Sequence, residues 1–286
     1  MSAQLYQTIA AKILDSLKTG TRPWEQCYSV SQHHYPIRIT GDTYRGINRL
    51  ILLITMQQKG YSSPLWMTFN QAKQLGASIR KGEKSTLSLF FKPLEYEDEE
   101  NGETQQAWMA RANRVFNADQ IRNLPEDLLQ KLLPPPVEYD NTPSERAEAF
   151  IRNIPATCIE GDGIPAFSPK PDVIYMPGIR QFKTSEQYYA TYLHELGHWT
   201  GHRDRLNRTS LVTDNQTNYY REELCAELTA SFLCPELGIE PLIDEEHVPY
   251  LQHYIQLLEH DPRAFVHACS QAEKAADYLK CFQQPD

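Results

Sequence analysis

Two histidines four residues apart, His194 and His198, with Glu195 directly after the first, are the residues of this chain best suited to chemistry. On a helix such positions lie one turn apart on the same side, so both imidazoles can reach a single divalent ion. Zinc accepts such nitrogen donors in a tetrahedral set. Glu195 then falls near the coordination position left open, where a carboxylate takes a proton from water that the metal has acidified. The five-residue pattern by itself recurs by chance, and its setting gives it weight. Tyr188 to Thr200 is helical in pattern, opens behind Thr184 with Gln187 in the capping-box place, and should end at Gly201.

A third ligand is needed, and the sequence offers three. His202 lies beyond Gly201, off the helix. Asp204 would complete a metzincin-like pattern, but that class needs a methionine turn below the metal, and the last methionine is Met176, upstream. Glu223 and Glu227 share one face of a later helix, matching the arrangement of thermolysin-like enzymes, in which the first acid binds metal and the second orients a ligand histidine. Glu223 is therefore expected as ligand and Glu227 behind it, with a slip to Glu222 or Glu227, or a merely solvated acidic face, as the alternatives. Tyr219, one turn before Glu223, is a candidate to hydrogen-bond a developing oxyanion. The segment Asp172 to Met176 has the place of the edge strand that pairs with an extended peptide in such enzymes.

The elements that must position these residues are of mixed type. In the first part, helices are expected over Tyr6–Leu17, over Asn48–Lys59 up to Gly60, and over Thr68–Leu75, which Thr68 can cap. Thr86–Lys92 and Trp108–Phe116 read as a hairpin around an acidic loop at 95–103. Residues 122–143, with Pro134 to Pro136, read as a linker with one short helical turn. From Ser144 a helix, a strand-like segment and a Gly/Pro-rich turn lead to the site helix, and three helical patterns follow over Tyr219–Cys234, His247–Glu259 and Pro262–Cys281. The expected fold class is α+β: a small α+β domain over 1–121, then a mainly helical domain with a short sheet over 144–286.

Composition sets bounds. The 286 residues are 41% apolar and 23% charged, enough for packed cores, and no eighteen-residue apolar run is present to span a bilayer. The first eleven residues lack the pattern of a signal peptide. The six cysteines show no paired spacing, which suits buried free thiols in a cytoplasmic protein. The net charge of −9 conceals an asymmetry: residues 1–94 hold twelve Lys/Arg against four Asp/Glu, and residues 121–286 hold fourteen against twenty-six. A basic first half beside an acidic second one points to nucleic acid as partner of the first.

Within that first half, cations alternate with aromatic rings. Phosphates attract Lys and Arg, and unpaired bases stack on flat side chains. Trp24, Tyr44, Arg45, Arg49, Trp66, Arg80, Lys81 and Lys84 are the expected contacts for single-stranded DNA, with the cluster around Gly82 as the strongest phosphate candidate. No signature of base-specific duplex reading is present.

Taken in order, Pro23-Trp24, Tyr44-Arg-Gly-Ile-Asn48, Trp66-Met-Thr-Phe-Asn-Gln-Ala72, Arg80-Lys-Gly-Glu-Lys84, Val115-Phe-Asn-Ala-Asp-Gln120, His194 to His202, Arg205-Leu-Asn-Arg208 and Arg221-Glu-Glu-Leu224 resemble the ArdC-type antirestriction proteins. The resemblance runs over nearly the whole chain. It implies an N-terminal single-stranded-DNA-binding domain and a C-terminal zincin-like metallopeptidase domain. It also implies a product of a mobile element, such as a conjugative plasmid, that shields incoming DNA from host restriction. Zinc is the implied metal, with manganese or another divalent ion as alternatives, and a peptide or protein as a second partner. Two rival readings are a non-enzymatic DNA-binding protein with a structural metal and a plain zinc peptidase.

Overall fold

The computed structural model describes residues 3–25, 35–97, 104–133, 142–212, 216–240 and 248–283. The chain forms two compact units, one of residues 1–9 and 33–135, the other of residues 10–32 and 136–286. The expected boundary near residue 121 is thus crossed by the N-terminal segment, which packs within the second unit. The acidic loop tip at 98–103 and Pro134 to Pro136 lie outside the described residues.

Helix α1 spans Ala3–Lys18, a turn longer at its start than the apolar spacing of Ile9, Ile13 and Leu17 requires. In the first unit, α2 (Ile47–Lys59) buries every residue from Ile47 to Thr55 and stops at Gly60. Strand β1 (Trp66–Thr68) leads into α3 (Phe69–Gln74), closed by a reciprocal capping box between Thr68 and Gln71. After the short β2 (Ser78–Ile79) comes the expected hairpin of β3 (Thr86–Glu97) and β4 (Thr104–Asn117), longer on both arms than its apolar cores. The sheet order is β1-β4-β3, with Phe90 opposite Arg111. Its outer strand is met by a side chain: Asn48 of α2 donates to the Leu89 carbonyl and accepts from the Leu89 N–H, each at 2.6 Å. Strand β5 (Ile121–Arg122) pairs with β2, and α4 (Leu128–Leu132), the short turn expected in the linker, packs Leu128, Leu129 and Leu132 on the core of this unit.

The second unit begins its C-terminal portion with α5 (Pro143–Arg152), whose Thr142 and Glu145 form a capping box. Strands β6 (Thr157–Gly161), β7 (Ala166–Ser168) and β8 (Val173–Pro177) make a sheet in the order β6-β8-β7, β8 being parallel to β6 and antiparallel to β7. The strand preceding the site helix is therefore central, not the edge strand expected from the sequence: β6 and β7 occupy both of its sides. Next come α6 (Ser185–Thr200), α7 (Thr209–Val212), α8 (Gln216–Leu233), α9 (Val248–His260) and α10 (Ala264–Lys280). The core is built by Phe150, Ile174, Met176, Leu193, Leu196, Trp199, Leu233 and Leu279. Cys225, Cys234 and Cys269 are buried free thiols as expected, whereas Cys158 and Cys281 are exposed. No helix among the described residues is long and apolar enough to cross a membrane.

Candidate metal centre

Helix α6 is set by Thr184, whose side chain accepts the Gln187 N–H. The reciprocal half of the box is displaced by one residue, since the Gln187 amide oxygen takes the N–H of Lys183 at 3.3 Å. The helix then buries Leu193, Leu196 and Trp199 and turns His194 and His198 toward α8, with Glu195 buried beside them. Gly197 makes the approach of these helices possible: a Cβ there would stand 3.0 Å from the Ala226 Cα of α8. At that separation the carboxylates of α8 reach the imidazoles of α6.

The nitrogens Nε2 of His194 and His198 lie 3.1 Å apart. Glu223 presents Oε2 at 3.6 Å from the first and Oε1 at 3.5 Å from the second. A tetrahedral zinc with bonds near 2.0–2.1 Å spaces its ligand atoms by about 3.3 Å, so three donors at these separations suit one ion. Two neutral imidazoles and a carboxylate are also the donor chemistry that zinc prefers. His194, His198 and Glu223 can thus hold a divalent metal, and they are the group of this kind among the described residues. His202 and Asp204 instead face each other beyond the helix end, as expected of residues off its ligand face.

Behind each imidazole stands a further carboxylate. His198 Nδ1 is 3.3 Å from Glu222 Oε1, and His194 Nδ1 is 3.6 Å from Glu227 Oε2. With a proton on Nδ1, each ring leaves its Nε2 lone pair for the ion. Glu227 thus lies against the far nitrogen of His194, and Glu222 against that of His198. Glu222 is buried with Arg208, which donates through Nε at 3.0 Å and through Nη2, and Ser210 adds a hydroxyl at 2.6 Å. Arg208 further donates to the Thr200 hydroxyl at 2.7 Å and the Gly197 carbonyl at 2.6 Å. Gly201 leaves room for this guanidinium, because a Cβ would come within 2.6 Å of Nη2. The helix ends at Gly201 as expected, but its backbone there is right-handed (φ −77°), so the glycine serves close approach rather than a left-handed cap. Glu227 is held from its other oxygen by Arg22 Nη1 at 2.8 Å and Trp24 Nε1 at 3.2 Å.

The electrostatics follow from these contacts. Burial alone would raise the Glu222 and Glu227 carboxyls, but His198 and Arg208 for the first, and His194, Arg22 and Trp24 for the second, overcome it and bring both to about 2. Burial likewise opposes ionisation of Glu223, which the two histidines and a hydrogen bond from Tyr219 outweigh. For His194, burial disfavours the cation, yet hydrogen bonds to Glu223 and Glu227 and the charge of Glu195 hold its pKa well above the ordinary histidine value. Tyr219 is half exposed, so its ring stands at the solvent side of the site.

The DNA-contact residues expected from sequence separate into two groups. Arg45, Arg80, Lys81 and Lys84 are exposed. The last three sit on a turn that Gly82 allows (φ +90°) and that buried Gln120 pins, donating to Glu83 Oε2 at 2.8 Å and to the Lys84 carbonyl at 3.0 Å. Trp24 and Trp66 are fully buried, and Tyr44 and Arg49 nearly so. These four are core residues and offer no face to a base: Trp24 packs between Tyr254 and Phe265, and Arg49 lies over the Tyr35 ring at 4.5 Å. Alternation of cations with rings cannot separate a stacking surface from a buried cation–π pair. The large apolar side chains exposed in this unit, among the described residues, are Phe69 and Phe90, which the sequence did not single out.

Residues 3–119 match the N-terminal domain of anti-restriction factor ArdC, and residues 145–271 match a zincin-like metallopeptidase domain. The structure is similar to that of antirestriction protein ArdC from plasmid R388. The metal-free form of that protein has 36% identity and a TM-score of 0.79, and its Mn(II)-bound form 34% and 0.80, with 97% of both chains covered in each case. Two DNA primases TraC of Escherichia coli are 34% and 35% identical over 98% of this chain, which spans only 20% and 27% of their lengths. An uncharacterised protein of Sinorhizobium fredii is 28% identical over 99% of the chain and 93% of its own length. With both halves matched and a solved relative covered from end to end, the chain belongs to the ArdC antirestriction family.

Proposed function

We propose that this protein shields the DNA of a mobile element from host restriction, combining a single-stranded-DNA-binding unit with a zinc metallopeptidase-type site and acting in the cytoplasm. The observation that carries the second half is the convergence of His194, His198 and Glu223, with each imidazole backed by its own carboxylate. A metal used only as a staple needs a closed cage, whereas three protein donors leave a coordination position for substrate. In the proposed roles, His194, His198 and Glu223 hold the ion, while Glu222 and Glu227 fix the imidazole tautomers. When bound, zinc would acidify water and polarise a carbonyl oxygen. Glu195, buried beside the first histidine, accepts the proton and returns it to the leaving amine. Tyr219, at the solvent side, donates a hydrogen bond to the substrate oxygen as charge develops there. Zinc and manganese both fit a mixed nitrogen and oxygen donor set, and the softer nitrogen pair favours zinc.

For the first unit, the exposed turn bearing Arg80, Lys81 and Lys84 supports phosphate contact, and the rings of Phe69 and Phe90 are available for stacking. The deciding experiment is Glu195→Gln in the full chain. Metal content should match wild type, cleavage of peptide substrates should fall by two orders of magnitude or more, on the order expected for loss of a general base, and protection of transferred DNA should fall with it. Full protection by a metal-loaded Glu195→Gln protein would show that hydrolysis is not the means, leaving a DNA-binding protein with a structural ion.

A further inference from the structure

The carboxylate of Glu227 is gripped from both ends. Oε2 faces His194 Nδ1, and Oε1 accepts from Arg22 and Trp24, which lie 205 and 203 positions earlier in the chain. The segment that carries these donors is built into the second unit. Arg22, Trp24 and Glu25 are 8%, 0% and 8% exposed, and the Trp24 ring packs on Tyr254 and Phe265 with centroids 5.6 and 5.7 Å away. Arg22 also pairs with Glu25, so its fork is fixed between two acids. The His198 side has the same layout from different residues: imidazole, Glu222, then buried Arg208.

A carboxylate with one oxygen fixed by two donors can turn its other oxygen in only one direction, and here that direction is the ring of His194. We infer that Arg22 and Trp24 are positioning residues of the metal centre, setting the orientation of His194 through Glu227. The inference rests on the metal reading of the proposed function. It assigns the Arg-Pro-Trp stretch, which sequence alone groups with the DNA-binding half, to the metal-binding half. Outer partners of metal-bound histidines commonly carry a factor of about ten to a hundred in affinity.

The test uses the full-length protein, stripped of metal and titrated with zinc against a chromophoric chelator, with the absorption spectrum of the cobalt(II) form as a second readout. Trp24→Phe keeps an aromatic ring, smaller than the indole, and removes the N–H, and Arg22→Lys keeps the charge and removes the fork. Phe265→Leu loosens the packing beside Trp24 and leaves both donors. The first two should weaken zinc binding by about tenfold and shift the cobalt spectrum. Phe265→Leu should lower the melting temperature while leaving zinc affinity within about twofold of wild type. Wild-type affinity and spectrum in both Trp24→Phe and Arg22→Lys would overturn the inference, as would an equal loss in Phe265→Leu. A wild-type chain that takes up no zinc would overturn the metal reading itself, and is recognised before any variant is made.

Discussion

Glu222 and Glu223 are neighbours in sequence with different surroundings, and in the proposed roles replacing each by alanine should separate stability from metal binding. The Glu222 side chain is 4% exposed, opposite an Arg208 side chain that is 2% exposed. It accepts from Arg208 twice and from Ser210 once, and it faces His198. Alanine there strands a buried guanidinium, and breaking a buried pair from one side costs about 3–5 kcal/mol. At roughly 2–4 °C per kcal/mol for a unit of this size, the metal-free melting temperature should fall by about 6–20 °C. Glu223 is 17% exposed and, among the described residues, is paired with His194, His198 and Tyr219. Without metal its removal forfeits partly exposed contacts to the two histidines and Tyr219, worth about 1 kcal/mol, so Glu223→Ala should melt only about 2–4 °C below wild type. Calorimetry in a chelator measures both, and zinc titration then shows that Glu223→Ala no longer binds stoichiometrically. Equal melting of the two metal-free variants, or unimpaired zinc uptake by Glu223→Ala, would refute the assignment of an outer and an inner acid.

Three further outcomes are expected. Lys81→Ala with Lys84→Ala should weaken binding to a single-stranded oligonucleotide and flatten its salt dependence by about 0.7 for each phosphate left without its cation; an unchanged slope in a salt titration removes that turn from the interface. Gly201→Ala should drive a Cβ into the Arg208 guanidinium, lowering stability by about 1–3 kcal/mol in denaturant melts, whereas an unperturbed midpoint would show that the loop yields freely. Asp172 is held below the ordinary carboxylate range chiefly by the Arg205 fork. Its folded pKa being the lower one, its contribution is complete above the unfolded value near 3.9 and fades as pH falls toward the folded value. Asp172→Asn, which also tolerates the left-handed backbone there (φ +55°), should therefore melt less steeply with acid than wild type between pH 4 and 2.

Much of the site was legible because its signals are local. The spacing of His194, Glu195 and His198 and the cap at Thr184 act within a few residues, and the acids of α8 repeat at the helical period. Glu222 was harder, since the four-residue spacing selects Glu223 with Glu227 and gives the adjacent glutamate no part of its own. Its role depends on Arg208, which returns through a loop. Arg22 and Trp24 were further out of reach, because a contact across two hundred residues leaves no periodic trace. The strand before α6 was read in the right place and taken for an edge, as β7 is only three residues long and its pairing is set by the short turn that joins it to β8. The buried tryptophans mark a different limit: composition identifies rings and cations without telling which face water.

The contact between Asn48 and Leu89 bears on how the first unit behaves in company. An outermost strand ordinarily presents a vacant donor and acceptor at every second residue, a template on which a foreign strand can dock. At Leu89 an amide side chain satisfies both groups in the manner of one more strand, only a single residue wide. Growth of the sheet is stopped there by the protein's own helix, so loss of Asn48 should show as self-association at high concentration before it shows as unfolding.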